Sequence, residues 1–219
     1  LTADQATLSE LREENEALRQ RNVELEEKAL LADRLAALME IQSTYNLQSV
    51  AAKVISGSAA SWTSTVTIDK GSSAGLSVGM PVIDASGVIG QIISVSPTSS
   101  VVRLVYDENS SIPAMIQSNR AQGILNGSAS GELSLDLVRS DLTVNVDDIV
   151  VTSGLGGVYP KGLPIGRVTS VERSSGALYL DISIEAFSRV QALEEVLVIT
   201  SLTDEQRASA EDIEEADAQ

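Results

Sequence analysis

The side chains with types and spacing fit for chemistry gather in one stretch, VTSGLGGVYPKGLPIGRV, at positions 151–168. Its five glycines, Gly154, Gly156, Gly157, Gly162 and Gly166, could cradle a phosphate with backbone N–H groups. Its Ser153 and Lys161 could be a nucleophile and its base. A phosphate loop, however, needs Gly-Lys-Ser/Thr opening a helix, and a dinucleotide site needs a helix N-terminus behind its glycines. Here Pro160, Pro164 and then branched apolar residues follow. The stretch therefore reads as a strand connection, in which glycines supply positive φ and room for the chain to bend around a barrel. Its extra residues Leu155, Val158, Tyr159 and Pro160 are the candidate partner-binding loop.

Other reactive constellations fail on composition. The chain has no His and no Cys. That removes imidazole bases, thiol nucleophiles, disulfides and the usual structural zinc sites. A Ser–Lys dyad using Lys161 or Lys70 has no supporting local pattern. Asp107, Glu108, Asp147 and Asp148 keep company with Asn, Ser and Val in turn-like segments, without EF-hand spacing, and read as solvated turn carboxylates. Trp62, the one tryptophan, reads as a barrel plug. No catalytic, cofactor-binding or metal-binding residue is assigned, and the chain is read as no enzyme.

Charge narrows the partners. The net charge is −16 over 219 residues, and the surplus acid lies mostly at the two ends. No basic stripe exists, so nucleic acid is not an expected partner. No apolar run approaches the roughly 18 residues of a membrane-spanning helix. The segment 203–219 is acidic, Ala-rich and without an apolar face, and is expected to be disordered.

The elements that must position any site fall into two kinds. Residues 1–46 are read as a helix and coiled coil, free of Gly and Pro. With Leu11 at heptad position d, Leu18 and Leu25 also fall at d, while Leu8, Asn15 and Asn22 fall at a. In a parallel pair, Glu14 then faces the partner's Arg19, and Arg21 faces the partner's Glu26. Asn at a favours two strands in register. These six residues are the candidate dimerisation seam. The heptad slips after Leu25, because Leu31, Leu35 and Leu38 need another frame. That predicts either a local change in supercoil or a helix beginning to pack on the next domain.

From about Ser49 the period becomes two. STVTIDK points Val66 and Ile68 to one face, ELSLDL points Leu133, Leu135 and Leu137, and ALYLDISIE points Leu178, Leu180, Ile182 and Ile184. Short strands between Gly, Ser, Asn and Asp clusters argue for barrels. Moreover, VGMPVIDASGVIGQIISV (78–95) matches VDDIVVTSGLGGVYPKGLPIGRVTSV (146–171), each with Ile-Gly-polar-branched before Ser-Val. The reading is thus mainly β with an N-terminal coiled coil. Two small related β-barrels occupy 47–120 and 121–202, unless a C-terminal strand returns to the first domain.

This order of motifs resembles the rod shape-determining protein MreC family. The resemblance is carried by SWTSTVTIDKGSSAGLSVGMPVI, GVIGQIISV, SSVVRLVYDENSSIPAMI, VVTSGLGGVYPKGLPIGRVTSV and LYLDISIEAFSRVQALEEVLVI after the coil. It implies an extracytoplasmic scaffold of the elongation machinery, held at the cytoplasmic membrane by a helix expected to precede Leu1. It further implies links to MreB, MreD and the class B penicillin-binding transpeptidase, and self-association that extends to filaments. A periplasmic adaptor of a transport system also joins coil to barrel, but such adaptors insert a helical hairpin between β-segments, and only one helix is read here.

Overall fold

The computed structural model describes residues 2–57 and 64–201. Trp62 and the acidic segment 203–219 lie outside the described residues. Helix α1 (Thr2–Thr44) opens the chain. It ends because Asn46 turns left-handed at φ 50°, a conformation that Asn tolerates. Leu47 N–H then donates to Gln42 O (2.9 Å) and Asn46 N–H to Ser43 O (3.2 Å), the paired bonds of a Schellman cap. Leu47 and Ile41, both buried, share one apolar cluster and clasp the cap from inside.

Twelve strands follow: β1 (Gln48–Gly57), β2 (Thr65–Ile68), β3 (Pro81–Ile83), β4 (Val88–Val95), β5 (Ser100–Leu104), β6 (Ser111–Ile116), β7 (Gln122–Gly127), β8 (Leu133–Asp136), β9 (Ile149–Thr152), β10 (Pro164–Glu172), β11 (Asp181–Ala186) and β12 (Glu195–Ser201). They close into two barrels, β1-β12-β3-β4-β5-β2 and β10-β11-β8-β7-β6-β9. Every pairing is antiparallel, as tight turns between successive strands allow.

The two circuits superimpose in order. β3, β4 and β5 correspond to β9, β10 and β11, while β12, β1 and β2 correspond to β6, β7 and β8. The repeat seen in the sequence is therefore real, and its key glycines are equivalent. Gly90 pairs with Val82 and Leu104, and Gly166 pairs with Val150 and Ala186. A Cβ at Gly90 would meet Arg103 O at 1.8 Å, and one at Gly166 would meet Glu185 O at 2.2 Å. Both strands cross a neighbour too closely for any side chain, which explains Gly at these points.

The division at 120/121 needs correction in space. It separates the two sequence repeats, but the barrels exchange their sixth strands. β6 closes the second barrel against β9 and β7, and β12 returns to close the first against β1 and β3. Hydrophobic patterning marks a strand's inner face but not which barrel it completes, so the exchange leaves no trace in the periodicity.

Two inward assignments also change. Leu180, Ile182 and Ile184 are buried, but Leu178 is 78% exposed, because β11 begins only at Asp181. Leu137 is exposed too, at φ 64°, where the chain turns out of the ladder after β8. The remaining inward residues, Val66, Ile68, Leu133 and Leu135, are buried as expected.

Candidate interaction sites

α1 presents two different faces. Leu8, Leu11, Leu18 and Leu25 are each more than half exposed, and Asn15 and Asn22 lie exposed on the same side. On this single chain the seam is solvent-facing among the described residues. Further along, Leu38 and Ile41 are buried in the cluster that joins the helix end to Ile83, Val88, Leu197 and Ile199 of the first barrel and to the second-barrel core. The change of frame after Leu25 is therefore a docking face on the chain's own body. Leu38 packs on the barrels, while Leu35 stays largely exposed on the flank.

One polar clamp fixes the docked turn. Arg34 Nε donates to Glu195 Oε2 at 2.7 Å, and its Nη2 pairs with Glu194 Oε2 at 2.8 Å. The Glu195 side chain is only 8% exposed, so this carboxylate relies on the guanidinium for its hydrogen bonds. Beside the clamp lies a groove of about 460 Å³, walled by α1, the β3–β4 turn and the β11–β12 loop. Asp33, Ala37, Leu38, Phe187, Arg189 and Leu193 line it. Asp84 stiffens that wall: its Oδ1 accepts from Ser86 N–H, Gly87 N–H and the Ser188 hydroxyl at 2.7–2.9 Å.

The loop between β9 and β10 turns out to be half clasp and half surface. Gly154, Gly156, Gly157 and Gly162 all adopt positive φ, and the strand β10 follows them. Thr152 pins the loop base: its hydroxyl donates to Pro160 O (2.5 Å) and accepts from Leu163 N–H (2.9 Å). Ser153 is buried, and its hydroxyl accepts from Leu155 N–H at 3.3 Å. Two members of the candidate partner-binding loop point the other way from that expectation. Tyr159 and Pro160 are buried, and the Tyr159 hydroxyl crosses to the first barrel to donate to Gly90 O at 3.2 Å. Burial pushes the Tyr159 phenol well above its ordinary range. Val158 is exposed and Leu155 half-buried. Sequence reasoning missed the clasp because a loop tyrosine's burial depends on a second barrel that the local pattern does not mention.

The four turn carboxylates do not converge on one point. Asp107 accepts from Asn109 N–H at 2.8 Å and lies 3.6 Å from Arg103. Burial works to raise its carboxyl, but hydrogen bonds from Asn109 and Ser64 and the Arg103 charge outweigh it and hold the group below its ordinary value. Asp148 accepts from Asn145 N–H at 2.9 Å, and Asp147 occupies a left-handed turn. Among the described residues no cluster of three or more candidate ligands could hold a metal ion. No described helix is long and apolar enough to cross a membrane.

A helical stalk leading into paired six-strand barrels with exchanged closing strands defines a double-barrel β protein carried on a helix. The model of the rod shape-determining protein MreC barrel core matches residues 54–200. The cell shape-determining protein MreC of Haemophilus influenzae is 34% identical over 87% of this chain and 57% of its own length. That of Escherichia coli is 32% identical over 89% of this chain and 55% of its own. A solved MreC structure covers 78% of this chain and 98% of its own, at 29% identity and a TM-score of 0.72. A Helicobacter pylori MreC, 18% identical with a TM-score of 0.56, shares the fold over 70% of this chain and all of its own, and was solved in complex with the penicillin-binding protein PBP2. The chain belongs to the MreC family. It spans a little over half the length of these two curated relatives.

Proposed function

We propose that this chain is a non-enzymatic scaffold of the cell-elongation machinery. Two copies join through Leu8, Leu11, Asn15, Leu18, Asn22 and Leu25 as a parallel coil, and the barrel pairs are held out to peptidoglycan-synthesis enzymes, a class B penicillin-binding transpeptidase first among them. The exposed Val158 with the half-buried Leu155 beside it, and the groove beside Arg34, are the surfaces offered. In the full-length protein the chain works outside the cytoplasmic membrane, tied to it by an anchor. MreB and MreD connect to it through the rest of that protein.

The observation that carries this reading is the exposed leucine seam on a helix whose far end is locked to a body of the MreC fold. A 43-residue helix is about 65 Å long at 1.5 Å per residue, enough to set the body off from an anchoring surface. The complex reported for the Helicobacter protein supports the choice of enzyme partner.

The test is a binding titration between this chain and the purified extracytoplasmic part of a class B transpeptidase from the same cell. Saturable binding, weakened by charge substitutions at Leu155 and Val158 or in the groove, is expected. Absence of binding by the intact dimer contradicts the proposed partner.

A further inference from the structure

Helix α1 meets the chain's own body only along its last turns. From Thr7 to Leu30 every residue is exposed, whereas Leu31, Arg34, Ala37, Leu38 and Ile41 are buried or half-buried. Their spacing of three and four marks one side of a helix. The two ends of this attachment differ in kind. At the near end Leu38 and Ile41 enter the apolar cluster, and the chain leaves the helix through Asn46, a single residue at φ 50°. At the far end stands Arg34, about 18 Å from Asn46 at 1.5 Å per residue, bonded to Glu194 and Glu195.

The far end holds in one state only. Glu195 opens β12, the strand that closes the first barrel. Its one ion pair among the described residues is with Arg34, although Lys53 is its register partner on β1. While α1 lies against the body, the Glu195 carboxylate is largely shut away from water, and the guanidinium compensates its charge. When α1 swings away, water reaches Glu195 and the guanidinium is no longer needed. The clamp therefore favours the docked direction over any other, beyond what Leu38 and Ile41 contribute.

We infer that Arg34 is a latch that sets the direction of the stalk. Closed on Glu194 and Glu195, it holds α1 in one direction against the first barrel; open, it lets α1 swing about Asn46. Latch and groove share a wall. Asp33, Arg34, Ala37 and Leu38 leave the groove with the helix, so a ligand touching both α1 and the β11–β12 loop binds the closed state and shifts the population toward it. Stalk direction and groove occupancy are thus linked. The inference rests on the docking of α1 and is independent of which partner the body recruits.

The chain has no cysteine, so Gln20→Cys together with Thr98→Cys, on the exposed β4–β5 turn, takes two spin labels and no more. Gln20 is about 39 Å from Asn46 along the helix, so a swing of about 20° carries it about 13 Å. Double electron–electron resonance, on labelled chain diluted in excess unlabelled chain, reads the stalk-to-body distance within one copy. With the latch intact it should show one narrow distance. Arg34→Met keeps an aliphatic stem without the charge and should widen the distribution at least about twofold, and adding Glu195→Gln should narrow it again, because no unpaired charge is then buried. A narrow distribution in Arg34→Met would overturn the latch, since the apolar face alone would be holding α1. Widening that Glu195→Gln does not reverse would overturn it too, by showing that Arg34 acts through packing. Both variants should keep the native melting of the barrels. Loss of that transition in Arg34→Met would mean that the clamp holds β12 rather than the stalk, and would contradict the latch.

Discussion

The two barrels share one six-strand circuit and differ most in a single connection. Between β3 and β4 the first barrel turns within Asp84–Gly87, closed by Asp84 N–H to Gly87 O at 2.9 Å. The equivalent connection of the second barrel runs from Ser153 to Leu163. The longer version has become a clasp: Tyr159 leaves its own barrel and bonds the carbonyl of Gly90, the counterpart of its own barrel's Gly166. Insertion into a repeat thus made a bond between the repeats. On the outer side of the loop Val158 is exposed and Leu155 half-buried.

That comparison can be broken most severely at its shared point. Gly90→Ala and Gly166→Ala each push a Cβ into a backbone carbonyl of the neighbouring strand, and neither strand can move without opening its barrel. Losses above about 4 kcal/mol are expected, the scale of the most damaging substitutions, with Gly90→Ala the worse because its approach is closer. Soluble yield and thermal melting would show it, and a near-native melt for either variant would contradict the close crossing.

The strand exchange gives the next effect. A fragment of residues 108–193 carries β6 to β11 and should fold as a closed barrel, whereas 121–202 carries β12 without its neighbours and lacks β6. Circular dichroism should show cooperative melting only for the first. Two melting fragments would mean that the barrels do not depend on exchange.

Smaller effects test the clasp. Tyr159→Ala should cost about 3 kcal/mol for a buried aromatic. Tyr159→Phe should cost about 1 kcal/mol for the lost hydrogen bond. The phenol is raised in the folded state, so its contribution is complete below the unfolded value near 10 and declines as pH rises beyond it. Stability of the native chain should therefore fall more steeply above pH 10 than that of Tyr159→Phe in denaturant titrations. Val158→Asp, on the loop's outer face, should change stability by less than about 0.5 kcal/mol yet weaken transpeptidase binding. A large loss of stability would place Val158 with the clasp instead.

These contrasts also separate what the residue pattern reveals from what it hides. The Ile-Gly-polar-branched repeat was legible because the barrel crossing demands Gly at the same point twice. Helix and most inward strand residues were legible from period alone. The destination of β12 was not, since Val196 and Val198 would fill either barrel equally well. Leu178 misled because alternation continues past the point where the ladder stops. Leu38 resembled part of a slipped heptad because a docking face and a coil seam use the same residue types. Tyr159 and Pro160 looked available for the same kind of reason: a turn-rich stretch does not show what lies across from it.

The account rests on a helix that serves two masters, its own body at one end and a second copy along its length. Sedimentation velocity on the intact chain and on one lacking residues 1–28 tests this most directly, because the shortened chain keeps Arg34, Leu38 and Ile41 in place. The intact chain should sediment as a dimer of twice 23.0 kDa, and the shortened chain should shift to monomer at the same micromolar concentrations. An intact chain that remains monomeric, or a shortened chain that remains a full dimer, would contradict it.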